Sequence, residues 1–354
     1  MAAVHAAADQ IERALDGVPA TLVMVLASDA HRDRAEAIWS TAAERFPAAD
    51  LAGAVIAGGV IGRGEETARG PALSLWAAVL PAGSVEVFTL ADAADLPADP
   101  GMLILLADPF SIPTDRLIRA ADLRGIELVG GFMGGIEPGA ARLFATGGVR
   151  TSGAVAVRID VPGIAPLVSQ GARPLGGDLV VTAAKHNVAV ELAGRPAIEQ
   201  LHAVLGALAP DDLELARAGL MAGLVIDENR PDYEVGDYLV RGILGVEADT
   251  GGLAIAAEPR VGQTFRFQVR DAESADADLR RVVGRAQRPV GSALIFACNG
   301  RGRALFAVDH HDAAVLEELL GVPVAGAFCQ GEFGPVAGRN HVHAFTSTMI
   351  IFPH

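Results

Sequence analysis

Apolar residues fall into short continuous runs, separated by stretches in which they recur with a 3.6-residue rhythm, and the alternation occurs three times in one order. Continuous runs of four to eight residues mark strands buried on both faces, and the 3.6-residue rhythm marks a helix with one inward stripe. Residues 22–27 form the first run. A helix follows with the stripe Ala35, Ile38, Trp39, Ala42 and Phe46, and residues 51–57 form the second run. The loop Gly58-Gly59-Val60-Ile61-Gly62 and a run over 73–80 close the unit. The order returns at 103–107, a helix over 115–123, a run over 126–132, a loop over 134–139 and a run over 154–159. Its last occurrence has runs at 294–298 and 322–328 around a helix over 313–320, then a loop over 331–335 and a run over 343–352.

A G-x4-G spacing joins each second run to its loop, as Gly53 to Gly58, Gly130 to Gly135 and Gly326 to Gly331. Glycine at such points permits positive φ or close backbone approach, which suits a strand turning at the rim of a pocket. A helical crossover makes the first two strands of each unit parallel, and the short return makes the third antiparallel. The predicted architecture is therefore α+β, two domains of repeated strand-helix-strand-strand units forming mixed sheets. The break at Ala209-Pro210-Asp211-Asp212 divides them into 22–209 and 210–354. After the break, residues 238–245 read as a helix carrying Arg241, and 265–271 alternate as a strand does.

Composition narrows the function. Of 354 residues, 51% are hydrophobic and only 5% aromatic, so aliphatic side chains fill the core. A net charge of −15 is the wrong sign for a nucleic-acid backbone or an anionic membrane. The apolar runs are far shorter than the roughly 20 residues that span a bilayer. Two cysteines, Cys298 and Cys329, match no disulfide framework or zinc spacing, which fits a reducing, cytoplasmic setting and free thiols.

Reactive side chains concentrate near the C-terminus. In Cys298-Asn299-Gly300-Arg301-Gly302-Arg303 a strand runs into a glycine-spaced loop with an amide and two guanidinium groups, a composition suited to holding a carboxylate. Cys329-Gln330-Gly331-Glu332 ends the neighbouring strand, and parallel strands would bring both loops to one edge, where ligands commonly sit. Asn299 and Arg301 are thus expected to meet an anionic group and Glu332 a cationic one, as a zwitterion requires. The plainer alternative is that Arg301 and Glu332 simply pair. Asn340 and His343 could add neutral hydrogen bonds, and Arg173 and Arg241 are candidates from other segments. Cys329 invites a nucleophile reading, and His310-His311 and His341-x-His343 invite metal or haem ligation, but neither an assembled nucleophile, base and orienting group nor a third metal ligand is visible.

At these residues the chain resembles the FIST family, the F-box and intracellular signal transduction sensory domain. The resemblance is carried by 293–302, Leu305-Phe306, His311-Asp312, 326–335 and 343–346, and extends upstream through 59–62, 129–132, 168–171, Arg173-Pro174, 238–241 and 269–272. It departs from the family's Gly-Cys-Arg-Pro turn at Ala172, so any role of that thiol is absent here, and has Gly177 or its neighbour where the family often has an acid. The resemblance implies N- and C-terminal FIST domains and a sensor of small molecules such as amino acids, with no catalytic residue. With no room for an output domain after Phe352, such a sensor is expected to signal through a separate partner. No cofactor is expected, although haem binding by some members keeps a gas sensor open, alongside a cysteine- or histidine-dependent enzyme.

Overall fold

The computed structural model describes residues 1–354 as two compact units, one of residues 1–168, 282–342 and 346–354, the other of 169–281 and 343–345. The units are not consecutive halves of the chain. Pro210 opens the helix Pro210–Gly219 inside the second unit.

All three repeats lie in the first unit. In each, a leading strand (Leu22–Ser28, Gly101–Ala107, Val290–Cys298) runs parallel to a second strand (Asp50–Ile56, Ile126–Phe132, Val324–Cys329) reached through a helix (Ala35–Arg45, Thr114–Arg124, His311–Leu320). A return strand (Leu73–Ala78, Ala154–Ile159, Thr346–Pro353) pairs antiparallel on the other side of the leading strand. The expected unit is therefore present three times with the expected strand directions. Helix ends follow local chemistry: Gly125 and Gly321 close two of them in the left-handed conformation that glycine takes without penalty.

The loops after the second strands contain an element that the sequence reading omits. Each is a short hairpin, Val60–Gly62 with Glu65–Thr67, Leu143–Ala145 with Gly148–Arg150, and Glu332–Val336 with Arg339–His343. None of them stays in its own sheet. The first hairpin pairs with the second strand of the third repeat, the third with that of the second repeat, and the second with that of the first. The exchange is cyclic, so the three sheets share one strand order.

The first glycine of each G-x4-G occupies one equivalent position. Gly53, Gly130 and Gly326 face Val25, Leu105 and Ile295 on the leading strands and Phe144, Phe333 and Ile61 on the arriving hairpins. A Cβ there would lie 1.9, 2.3 and 1.9 Å from the facing carbonyl oxygens. Only glycine fits such spacing. Leading strands are buried on both faces. Met24, Leu26, Ile104, Leu106, Leu294 and Phe296 meet in one central core, while Val23, Val25 and Ala27 pack on Ile38 and Ala42 of the first helix.

The second unit is a closed antiparallel barrel. Its strands follow the order Ala172–Lys185, Thr264–Arg270, Leu220–Val225, Tyr238–Glu247, Gly252–Ile255 and Val188–Leu192, and the last pairs back to the first. Phe265, Phe267, Leu224 and Ile255 fill its core with Leu201 of the helix Ala197–Gly206. The segment 238–245, read as a helix, is one of these strands. Tyr238 and Val240 are buried while the residue between them is half-buried, a period of two that its pairing with strands on both sides enforces.

Candidate functional site

The leading and second strands of the third repeat end side by side, with Cys298 and Cys329 as register partners. Two glycines shape the loop that leaves Cys298. Gly302 takes φ +56, and Gly58 approaches so closely that a Cβ would lie 1.8 Å from Asn299 Oδ1. The chain then passes through the turn Arg303–Phe306 to the helix His311–Leu320.

Arg301 is 2% exposed, and its charge is met from that helix: Nε and Nη2 donate to Asp312 Oδ2 and Oδ1 at 2.7 and 2.9 Å. The expected alternative of an Arg301–Glu332 pair is thus replaced by a fork on Asp312, because the helix N-terminus delivers that carboxylate in the plane of the guanidinium. Burial alone would raise the Asp312 carboxyl, but the Arg301 charge outweighs it, with hydrogen bonds from His311 and Arg301, and holds it at about 2. The guanidinium lies 5.2 Å from the Phe306 ring centroid, and Phe306 stacks on His311 at 3.4 Å. Arg301 Nη1 is buried with no hydrogen-bond partner.

Glu332 begins the third hairpin and is fully buried. Thr346 Oγ1 donates to its Oε2 at 2.8 Å, while Oε1 has no partner. Burial pushes this carboxyl up to about 8 against the pull of Thr346, Arg301 and Cys298, so at neutral pH it is mostly protonated. A neutral carboxyl is a poor partner for an ammonium group, and Glu332 is not among the residues that line the neighbouring pocket.

A pocket of about 730 Å³ opens beside this cluster. Asn299, Arg301, Arg303, Asp309 and His310 line it from the third repeat, and Gly58, Glu66 and Arg69 from the first, whose exchanged hairpin forms the facing wall. Glu66 Oε1 accepts from the Ala313 amide at 3.0 Å, which ties the hairpin to the helix N-terminus, and its own amide donates to His310 Nδ1 at 2.8 Å. Burial raises the Glu66 carboxyl, aided by the Asp312 charge and opposed by backbone amides. Arg303 pairs with Asp309 at 2.7 Å on the exposed side.

The other expected ligand residues are placed elsewhere. Asn340 is buried with its amide fully used: Nδ2 donates to Asp122 Oδ1 and the Ile126 carbonyl, and Oδ1 accepts from Leu128 N. His343, Arg173 and Arg241 belong to the second unit. There Arg173 bridges Asp212 and Asp271 at 2.6 and 3.5 Å, and Arg241 donates to the Val240 carbonyl. Conversely, Glu66, Asp312 and Phe306 join the site without having been singled out as ligand contacts. Glu66 carries no local signal, because its place depends on hairpin exchange.

No three His, Cys, Asp or Glu side chains converge as metal ligands. Haem is tested by the imidazole on the pocket wall. His310 Nδ1 accepts a backbone N–H, so the neutral ring carries its proton on Nε2 and offers no lone pair there to an iron. That side chain does not fit an axial ligand.

Family models match nearly the whole chain, the FIST N domain over residues 21–195 and the FIST C domain over 197–335. The chain is 41% identical to uncharacterized protein Rv0628c of Mycobacterium tuberculosis (strain ATCC 25618 / H37Rv), covering 99% of this chain and 96% of the relative. It is 40% identical to uncharacterized protein Mb0898c of Mycobacterium bovis, covering 98% and 94%.

Proposed function

The chain belongs to the FIST family of signal-transduction sensory domains, and from that premise we propose that it senses a small carboxylate-bearing metabolite, an amino acid first among them, in the pocket beside Arg301. One observation carries the reading: Arg301 lines a pocket large enough for such a molecule, and its buried guanidinium keeps a donor, Nη1, without a partner. An unmet buried donor costs about 1–3 kcal/mol, which a ligand oxygen would recover. Of the three arginines that line the pocket, Arg301 is met by Asp312 and Arg303 by Asp309, which leaves Arg69 as the cation for a ligand carboxylate. The amide of Asn299 would take the other carboxylate oxygen, and Asp309 or Glu66 the ammonium group.

The same reading makes the protein a binding module rather than an enzyme. Burial holds the Cys329 thiol well above its usual range, the opposite of what a catalytic thiolate that opens the attack on a substrate needs. The reading also places the protein in the cytoplasm with a separate output partner. A thermal-shift screen of the full chain against amino acids and dicarboxylates tests it. A ligand at 100 times its Kd stabilises the native state by about 2.7 kcal/mol. Asn299→Ala and Arg69→Ala should weaken that ligand at least about tenfold while leaving the unliganded melt unchanged, since one lost hydrogen bond to a charged group is worth about 1.5–3 kcal/mol. A panel in which no carboxylate stabilises the protein, or a ligand indifferent to both substitutions, overturns the assignment.

A further inference from the structure

Cys298 and Cys329 stand opposite one another on neighbouring parallel strands. Strands in a sheet lie about 4.8 Å apart, inside the roughly 4.4–6.8 Å span of Cα atoms joined by a disulfide. Register partners point to the same face of the sheet, so the two sulfurs share one side. Both cysteines are free thiols; Cys329 is fully buried and Cys298 is partly exposed. Three groups lie around the Cys298 sulfur: the Gly300 amide donates to it at 3.4 Å, and the Arg301 guanidinium and the Glu332 carboxyl are its ionisable neighbours. A cation and a backbone N–H beside a partly exposed thiol form the setting in which thiolate chemistry occurs.

The internal repeat shows that the fold does not require this pair. Three residues beyond Val25, Leu105 and Ile295 stand Ser28, Asp108 and Cys298. Ser28 Oγ donates to the Gly70 carbonyl and accepts from the Ala72 amide, both at 2.8 Å, fastening the approach to the return strand. Asp108 accepts from Ser111 Oγ at 2.5 Å, and Ser111 accepts from the Gly153 amide at 2.7 Å, fastening the same place in the second repeat. Across from Ser28 stands Ile56, not a group that could react with it. The third repeat alone sets a thiol at this position with a second thiol facing it.

We infer that Cys298 and Cys329 are an oxidisable dithiol, a modification site at which a hydroperoxide converts the facing thiols into an intrachain disulfide. The Cys298 sulfur attacks the terminal oxygen of ROOH. The O–O bond breaks, ROH leaves with the thiol proton, and Cys298 becomes a sulfenic acid. The Cys329 sulfur then attacks the Cys298 sulfur, the S–O bond breaks, and water leaves with the Cys329 proton. Two thiols are oxidised by two electrons, and one hydroperoxide is reduced to ROH and water.

The test uses the full chain, reduced and freed of reductant, with hydrogen peroxide added stepwise. Thiols titrated after denaturation should fall from two per chain to none. The intact mass should fall by two hydrogen atoms, the chain should stay monomeric on a non-reducing gel, and one peptide pair should join both cysteines until dithiothreitol is added. Cys329→Ala, a small apolar replacement for a buried thiol, should stop the reaction at a dimedone-reactive sulfenic acid on Cys298, and Cys298→Ser should leave Cys329 unoxidised at the same dose. The wild-type peptide map decides even if a variant fails to fold. Two surviving thiols under excess peroxide, chain-to-chain dimers through Cys298, or a sulfinic acid on Cys298 beside an unreacted Cys329 would each overturn the proposal.

Discussion

Replacing Glu332 with glutamine isolates the effect of burying its carboxyl. The folded protein raises this group from 4.5 to about 8, whereas the unfolded chain releases the proton near the ordinary value. Between those pH values the folded state binds one more proton than the unfolded state, so stability falls as pH rises, and the contribution present below pH 4.5 is lost by about pH 8. At about 1.4 kcal/mol per unit, the loss reaches roughly 3 kcal/mol at pH 7 and has a ceiling near 5 kcal/mol. Glutamine has the shape of the protonated acid, keeps an oxygen for Thr346 Oγ1 and cannot ionise. Glu332→Gln should therefore come within about 1 kcal/mol of the wild type at pH 5 and exceed it by about 3 kcal/mol at pH 7. Urea unfolding followed by tryptophan fluorescence at pH 5, 6, 7 and 8 reads this directly, because Trp39 and Trp76 both lie in the first unit. A difference that stays constant across these pH values, or a variant less stable at pH 7, would refute the buried neutral carboxyl.

Asp312→Ala leaves the Arg301 charge buried without its fork and should cost about 3–5 kcal/mol, whereas the double variant Arg301→Met with Asp312→Leu should lose much less, both read by urea titration. Acid should weaken the same pair: Asp312 sits at about 2 when folded, so its stabilisation is complete above about pH 4 and is lost as pH falls toward 2, a slope that the double variant should lack. Gly326→Ala and Gly53→Ala each force a Cβ to 1.9 Å from a backbone oxygen and should cost at least about 4 kcal/mol, while Gly83→Ala, with no atom within 4 Å, should cost far less; thermal melts rank them.

What was legible in the sequence was the part written in contiguous residues. The apolar runs located leading and second strands because burial on both faces leaves no polar position to interrupt them, and Gly53, Gly130 and Gly326 marked one equivalent point because each faces a carbonyl too near for any side chain. The Arg301 loop was legible as an anion-binding composition, but its partner was not. Asp312 and Glu332 are both acids in the same repeat, and only the helix that presents Asp312 edge-on to the guanidinium decides between them. The segment 238–245 misled because its apolar residues satisfy a helical period as well as an alternating one until the neighbouring barrel strands are known.

The hairpin exchange is the step that no local pattern announces, and the pocket depends on it. Val60–Gly62 is a three-residue strand with Glu65–Thr67 on one side and, on the other, a partner more than 260 residues away, so its place in a sheet is set by Ala325, Gly326 and Ala327 rather than by its own sequence. Exchange carries Glu66 to the Ala313 amide and sets Gly58 against Asn299, so the wall facing Arg301 belongs to a different repeat from Arg301 itself. Each of the three strand-end sites receives a hairpin this way. In the first two, Ser28 and Asp108 hold the adjoining loops by hydrogen bonds, and in the third the corresponding group is a thiol beside an arginine with an unmet donor. Three copies of one backbone unit thus differ in what occupies a single strand end, and chemistry is concentrated where that residue is least committed to holding the loop.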